Sequence, residues 1–146
     1  MKTKFRCNCP ITSALDIVGD KWVLVIIKQM LFEEKQTFKD FIESDEAIAT
    51  NILTAKLKML HEMGIVSKYK LPNNKKSVYY RLTEQGLSLA PVIIELAIWG
   101  DENVRDYNPT MWEGQEISLM KSNKTEVIQT AIENYKKKLP QEMVKA

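Results

Sequence analysis

Ala49-Thr-Asn-Ile-Leu-Thr-Ala-Lys-Leu-Lys-Met-Leu-His-Glu-Met63, closed by Gly64, is the stretch whose reading decides the fold. Leu53, Leu57 and Leu60 recur at i, i+4 and i+7 and line one face of a helix. At about 100° per residue, Asn51, Thr54, Ala55 and Lys58 fall on the opposite face. That face carries an amide, a hydroxyl, a methyl and a cation, groups that read base edges and hold phosphates, where a merely solvated face would be mostly Glu and Lys. Gly64 supplies the left-handed residue that ends such a helix, and Ile65-Val66 begins a β-branched run. The stretch reads as a DNA recognition helix.

Working upstream, Ser44-Asp-Glu46 reads as a turn, preceded by a short helix with Phe38, Phe41 and Ile42 inward and Thr37 as its cap. A short helix, a turn and a longer helix with a polar N-terminal face form a helix-turn-helix. Ala49 stands where a capping serine is expected, so Thr50 has to cap the second helix. Further upstream, Lys21 to Phe32 is apolar almost all round (Trp22, Val23, Leu24, Val25, Ile26, Ile27) and belongs in the centre of a core, with Asp20 as its N-cap. Before it, Cys9-Pro10 opens a short helix ended by Gly19, with Pro10 in the first turn and Cys9 at the N-cap.

Downstream of Gly64, two strand-like runs, Ile65–Leu71 and Ser77–Leu82, are joined by Pro72-Asn-Asn-Lys-Lys76, a hairpin with a basic tip. Thr83 then caps a helix from Glu84 to Arg105. Its apolar residues, including Leu89, Val92, Ile93, Leu96 and Trp99, exceed what one stripe on a small domain can bury, which points to a partner subunit. Pro91 either bends this helix or lies near its first turns. Asn108-Pro109 breaks the chain. A final amphipathic helix starts at Ser122 or Asn123, carries Val127, Ile128, Ala131, Ile132, Tyr135 and Leu139 on one face, and ends at Pro140.

Charge supports this layout. The chain's net charge is only +2, but Asn51 to Arg81 holds Lys56, Lys58, Lys68, Lys70, Lys75, Lys76 and Arg81 against Glu62 alone, a net +6. The remainder sums to −4, so one region is an anion-facing surface. With 45% apolar residues spread along 146 positions, the chain can build one ordinary core. No apolar run reaches the roughly 18 residues of a membrane span, and no signal-peptide core follows Met1-Lys-Thr-Lys-Phe-Arg6, so a cytoplasmic location is expected.

With these residues in place, the sequence resembles the HxlR-type winged helix-turn-helix transcriptional regulators. The resemblance rests on Cys9-Pro10, Leu-Asp-Ile-Val-Gly-Asp-Lys-Trp (Leu15–Trp22), Phe-Lys-Asp-Phe (Phe38–Phe41), Ile-Ala-Thr-Asn-Ile-Leu-Thr (Ile48–Thr54), Tyr-Tyr-Arg-Leu-Thr-Glu-Gln-Gly (Tyr79–Gly86) and Trp99-Gly100. It implies a homodimer assembled through the N-terminal segment and the helix after the wing, binding an inverted repeat in promoter regions. It also implies a repressor answering to electrophiles or oxidants through Cys9, with Cys7 as an extra thiol. The expected fold is mainly α with a small β-hairpin wing (α+β), a winged helix-turn-helix with extra N- and C-terminal dimerisation helices. Residues 7–106 form the domain and 107–146 a C-terminal extension.

The expected DNA-binding residues are Thr50, Asn51, Thr54 and Ala55 near bases and Lys56, Lys58, Lys75 and Lys76 on phosphates, with Arg81 either on DNA or structural. The thiol of Cys9, at a helix N-terminus with Arg6 and Lys4 nearby, is in surroundings that favour the thiolate; the alternative is an inert reduced cysteine. The expected dimer interface is Leu89, Val92, Ile93, Leu96 and Trp99. If a dimer neutralises about eight phosphates, affinity falls with salt at a log–log slope near −7. Double-stranded DNA, a second copy of the chain and a small-molecule or electrophile effector are the expected partners. No cofactor, metal site or enzymatic activity is expected: His61 is the only histidine, and Cys7 and Cys9 have no second Cys or His pair beside them. The rival reading is a winged-helix module whose basic wing binds an acidic protein; a redox enzyme using Cys7 and Cys9 is a third.

Overall fold

The computed structural model describes residues 4–146. They form eight helices and three short strands, an α+β arrangement dominated by helix. Two compact units are present, one built from residues up to 87 together with 140–146, the other from 88–139. The helix after the wing thus falls in the unit of residues 88–139, and the last residues, 140–146, in the unit that holds the wing.

In the first unit, α1 (Pro10–Val18) has Cys9 at its N-cap and Pro10 at its first position. It buries none of its residues and exposes Ile11 and Leu15. The next helix, α2 (Val23–Glu33), is the centre of the core, with Val23, Ile26, Ile27 and Met30 fully buried. The helix starts two residues later than expected, with Trp22 and not Asp20 at the N-cap, but Asp20 still serves its entrance: its Oδ1 accepts from the N–H of Trp22 at 2.7 Å and of Val23 at 2.9 Å. Helix α3 (Phe38–Ile42) starts in a reciprocal capping box. The Thr37 hydroxyl accepts from the Asp40 N–H at 3.2 Å, and the Asp40 carboxylate accepts from the N–H groups of Thr37 at 3.0 Å and Gln36 at 2.9 Å. Burial pushes the Asp40 carboxyl up, but these donors outweigh it and hold it below its ordinary value.

The turn between α3 and α4 (Thr50–Glu62) is fixed from below. Gln29, a buried polar side chain on α2, donates to Ser44 Oγ at 2.8 Å, and Ser44 Oγ donates to the Phe41 carbonyl at 2.9 Å. Ala47 takes a left-handed conformation there, with φ +55°. Leu53, Leu57 and Leu60 are buried. After α4, Gly64 adopts φ +74° and the Ile65 N–H donates to the Leu60 carbonyl at 2.9 Å, the expected glycine-ended helix.

Strands β1 (Val66–Leu71) and β2 (Asn74–Leu82) pair antiparallel, from Val66 opposite Leu82 to Tyr69 opposite Tyr79, where the two rings stack at 5.3 Å. The connection is only Pro72-Asn73, so Lys75 and Lys76 stand on β2 and not in a five-residue tip loop. A third strand absent from the expectation, β3 (Val144–Lys145), pairs with the other edge of β1. Thr37 bridges to Tyr79 on the outer edge of β2. Thr83 then caps α5 (Glu84–Leu87): its hydroxyl accepts from the Gly86 N–H at 3.2 Å and donates to the Gly64 carbonyl at 2.6 Å.

The expected single helix from Glu84 to Arg105 is broken at Ser88-Leu89. The second unit begins with α6 (Ala90–Val104), whose first turn holds Pro91. Proline has no N–H to give, and its ring would clash with the carbonyl four residues earlier, so the helix restarts where that carbonyl is not needed. Helices α7 (Gln115–Ser122) and α8 (Lys124–Lys138) follow and pack on α6. Arg105 closes the connecting loop: it pairs with Asp101 and donates to the carbonyls of Met111 at 3.1 Å and Trp112 at 3.2 Å. Lys121 reaches the same Asp101 at 2.5 Å, and these two cations hold that carboxyl below its ordinary value. On α8 the expected face of Val127, Ile128, Ala131, Ile132 and Tyr135 is half-buried.

Candidate nucleic-acid interface

Three buried leucines fix the orientation of α4, so the positions opposite them must face solvent. Asn51, Thr54, Ala55 and Lys58 are all exposed. The N-cap of α4 is Ala49, with no side-chain hydrogen bond, and Thr50 is the first helical residue. Thr50 therefore does not cap the helix: once its backbone is helical, its hydroxyl cannot turn back to the amides it precedes. The first N–H groups of a helix have no partner within it, so this uncapped, solvent-facing end is suited to a phosphate oxygen. Thr54 Oγ1 donates to the Thr50 carbonyl at 2.9 Å, which leaves its oxygen as an acceptor toward a base amino group.

Lys56 differs from the expectation. It lies about 140° round the helix from Asn51, on the flank of the buried face. Its Nζ sits 2.5 Å from Asp20 Oδ2, with both side chains about one-third exposed. Burial pushes the Asp20 carboxyl up, but the Lys56 hydrogen bond and the Val23 and Trp22 N–H groups bring it below its ordinary value. Lys56 is thus held by a carboxylate and is not a free phosphate ligand.

On the wing, Lys75 and Lys76 are exposed, while Lys68 and Lys70 on β1 are half-buried. Arg81, left open between DNA and structure, is tied into the sheet: Nε donates to Ser67 Oγ at 2.9 Å and Nη1 to Met143 Sδ at 3.5 Å. Among the described residues, the exposed cations of this surface that carry no ion pair are Lys58, Lys75 and Lys76.

Cys9 has its thiol below the ordinary range because the Thr12 N–H, the Thr12 hydroxyl and the Ile11 N–H all point at the sulfur, outweighing a small opposing effect of burial. The expected help from Arg6 is not the cause. Its guanidinium is bound to Asp16, with Nε 2.7 Å from Oδ1. Both Cys9 and Cys7 are free thiols, Cys7 the more exposed.

On α6, Val92, Leu96 and Trp99 are exposed at i, i+4 and i+7. Ile93 is buried at 8% exposure and Leu89 is half-buried, so of the five residues expected at a dimer interface these two are turned inward. Sequence reasoning missed Asp20 as the partner of Lys56, Met143 as the partner of Arg81, and the Gln29–Ser44 bond beneath the turn. No local pattern signals any of them.

A helix-turn-helix with its second helix exposed on a polar face, followed by a basic two-stranded wing, defines a winged helix-turn-helix DNA-binding protein. The HxlR-like helix-turn-helix family profile matches residues 17–108, and the chain belongs to that family of transcription regulators. It is 32% identical to the HTH-type transcriptional regulator YybR of Bacillus subtilis over 66% of this chain and 76% of that protein. It is 34% identical to the HTH-type transcriptional regulator YodB of the same organism, over 64% of this chain and 84% of that one. The solved structure of the redox regulator HypR in its reduced form superposes with a TM-score of 0.58 at 27% identity, covering 69% of this chain and 99% of HypR. Among the described residues, no helix is long and apolar enough to cross a membrane.

Proposed function

We propose that this regulator acts as a homodimer that binds an inverted-repeat operator and represses transcription until Cys9 is modified by an electrophile or oxidant. The observation that carries the reading is the polar face of α4, with Asn51, Thr54, Ala55 and Lys58 exposed on a helix whose other face is locked by Leu53, Leu57 and Leu60. Asn51 is suited to pair with adenine, Ala55 to meet a thymine methyl, and Lys58, Lys75 and Lys76 to rest on phosphates. Dimerisation is supported by apolar side chains left in water: Ile11 and Leu15 on α1 in one unit, Val92, Leu96 and Trp99 on α6 in the other.

Thiol control is supported by the favoured thiolate of Cys9 and by relatives. YodB has been solved bound to a quinone, and HypR in an oxidised form. In such a step the Cys9 thiolate forms a C–S bond at an electron-poor quinone carbon. The displaced π pair goes to the quinone oxygen, which takes a proton from water. The added ring removes the negative charge that the Thr12 and Ile11 donors hold.

The test is to enrich genomic DNA fragments on the purified protein, with and without a quinone, and to repeat it with Cys9→Ser. The expected result is a set of promoter fragments that share a palindrome and are released by quinone from the wild type only. Enrichment without sequence preference would remove the DNA reading, and equal release from Cys9→Ser would remove the thiol one.

A further inference from the structure

A recognition helix reads bases only if it is held at a fixed register against the rest of its subunit. One carboxylate joins two elements at this point. Asp20 Oδ1 accepts from the N–H groups of Trp22 and Val23 at the entrance of α2, and Oδ2 holds Lys56 in the middle of α4 at 2.5 Å. Asp20 directly follows Gly19, whose N–H closes α1 on the Leu15 carbonyl at 2.8 Å. The start of α2 and the recognition helix therefore meet at a single side chain, one residue beyond the end of α1 in the chain. On the same helix α2, Lys28 pairs with Glu46 in the turn before α4, a second polar tie at the helix entrance.

Partly shielded ion pairs contribute little net stability, because desolvation offsets most of their attraction, but they are directional and fix geometry. Apolar packing of Leu53, Leu57 and Leu60 fixes which face of α4 is buried, and a directional pair on its flank adds a further constraint on rotation about that face. Lys56 lies on the flank, where a tether resists that rotation. We propose that Asp20 is a positioning residue for DNA readout: through Lys56 it sets the rotation of α4 against the α1–α2 junction, so that Asn51 and Thr54 face base edges. This rests on the DNA-reading function proposed above. It assigns Lys56 to positioning and not to phosphate binding.

The test compares the affinity of the homodimer for an enriched palindromic fragment with that for a scrambled fragment, for Asp20→Asn, Lys56→Met, the double variant and Lys56→Arg. Asn at position 20 keeps the capping oxygen and puts an uncharged NH2, a donor, in place of the oxygen that holds Lys56. Each single variant is expected to lower the specific-to-scrambled ratio about tenfold, the worth of roughly one base contact. Affinity for scrambled DNA and the salt slope stay unchanged. The double variant loses no more than either single one, since both remove the same tether. Lys56→Arg recovers the ratio, and thermal midpoints stay close to wild type, so that a folding defect is separated from lost register. The proposal is overturned if Asp20→Asn leaves the ratio intact or strengthens binding to both DNAs alike. It is equally overturned if Lys56→Met weakens both and flattens the salt slope, the behaviour of a phosphate ligand. A wild-type protein with no preference between the fragments would instead remove the DNA-reading function, before any variant is compared.

Discussion

Removing the two wing lysines together, Lys75→Ala with Lys76→Ala, is expected to flatten the salt dependence of DNA binding while keeping sequence preference. The magnitude follows from which cations are free. Lys56 is bound to Asp20, and Arg81 is tied to Ser67 and Met143. Lys68 and Lys70 are half-buried, so Lys58, Lys75 and Lys76 are the exposed cations left, six lysines in the proposed homodimer. At about 0.9 per phosphate neutralised, the wild-type log–log slope should be near −5, shallower than the −7 that counting sequence cations suggests. The double variant keeps only the two Lys58 side chains, and its slope should fall to about −2. Fluorescence anisotropy on a palindromic and a scrambled fragment, between about 50 and 200 mM salt, spans the range where this is steep. Base preference should survive, because Asn51, Thr54 and Ala55 stand on a different element. A slope that the double substitution leaves unchanged would refute the assignment of the wing to phosphate. A wild-type slope near −7 would mean that a further cation reaches DNA, either Lys56 or Arg81 released from its protein partner or the half-buried Lys68 or Lys70.

Trp99→Glu places a charge on the exposed stripe of α6 and should shift the protein from dimer toward monomer in sedimentation velocity, while Ile93→Glu, at a buried position, should unfold it. Ala47→Gly should raise stability by about 1 kcal/mol in urea unfolding, since a left-handed φ of +55° is strained for any residue with a Cβ. Asp40→Ala should cost about 1–2 kcal/mol at neutral pH through loss of the capping box. Because the Asp40 carboxyl is lowered in the folded protein, its contribution is fully present above the unfolded carboxyl range and is lost as pH falls through the folded value. The difference between variant and wild type should therefore close in acid. The thiol of Cys9 is likewise lowered, so its alkylation by iodoacetamide should stay fast below the pH range of an ordinary thiol; Thr12→Val should move that profile back up, with Arg6→Ala changing it little.

Much of the site was legible because it rests on local periodicity. The leucine spacing of α4 fixes which residues face out, Gly64 marks its end, and Thr37 announces the start of α3, although its partner Asp40 in the capping box went unread. What escaped depends on residues distant in sequence. Asp20 and Lys56 are brought together by tertiary packing, so charge counting assigned Lys56 to phosphate. Strand β3 is two residues in a polar tail with no alternating pattern, and it forms because β1 has an open edge to pair with. Pro91 was legible as a disruption, but whether it bends a helix or starts one depends on the backbone before it. Ile93 and Val92 are adjacent in sequence and equally apolar, and only the packing of α6 decides which is buried. The environment of Cys9 was placed correctly at a helix N-terminus, yet its cause lies in Thr12 and Ile11 and not in Arg6, which Asp16 claims.

The most direct measurement is selection of binding sites from random duplex DNA by wild type and Asn51→Ala in parallel. The wild-type sites should form an inverted repeat with half-site centres about one helical turn, roughly 34 Å, apart. Asn51→Ala should lose its preference at one position in each half-site and keep it elsewhere. Identical site profiles for the two proteins, or wild-type sites without two-fold symmetry, would contradict the assignment of the α4 face to base reading.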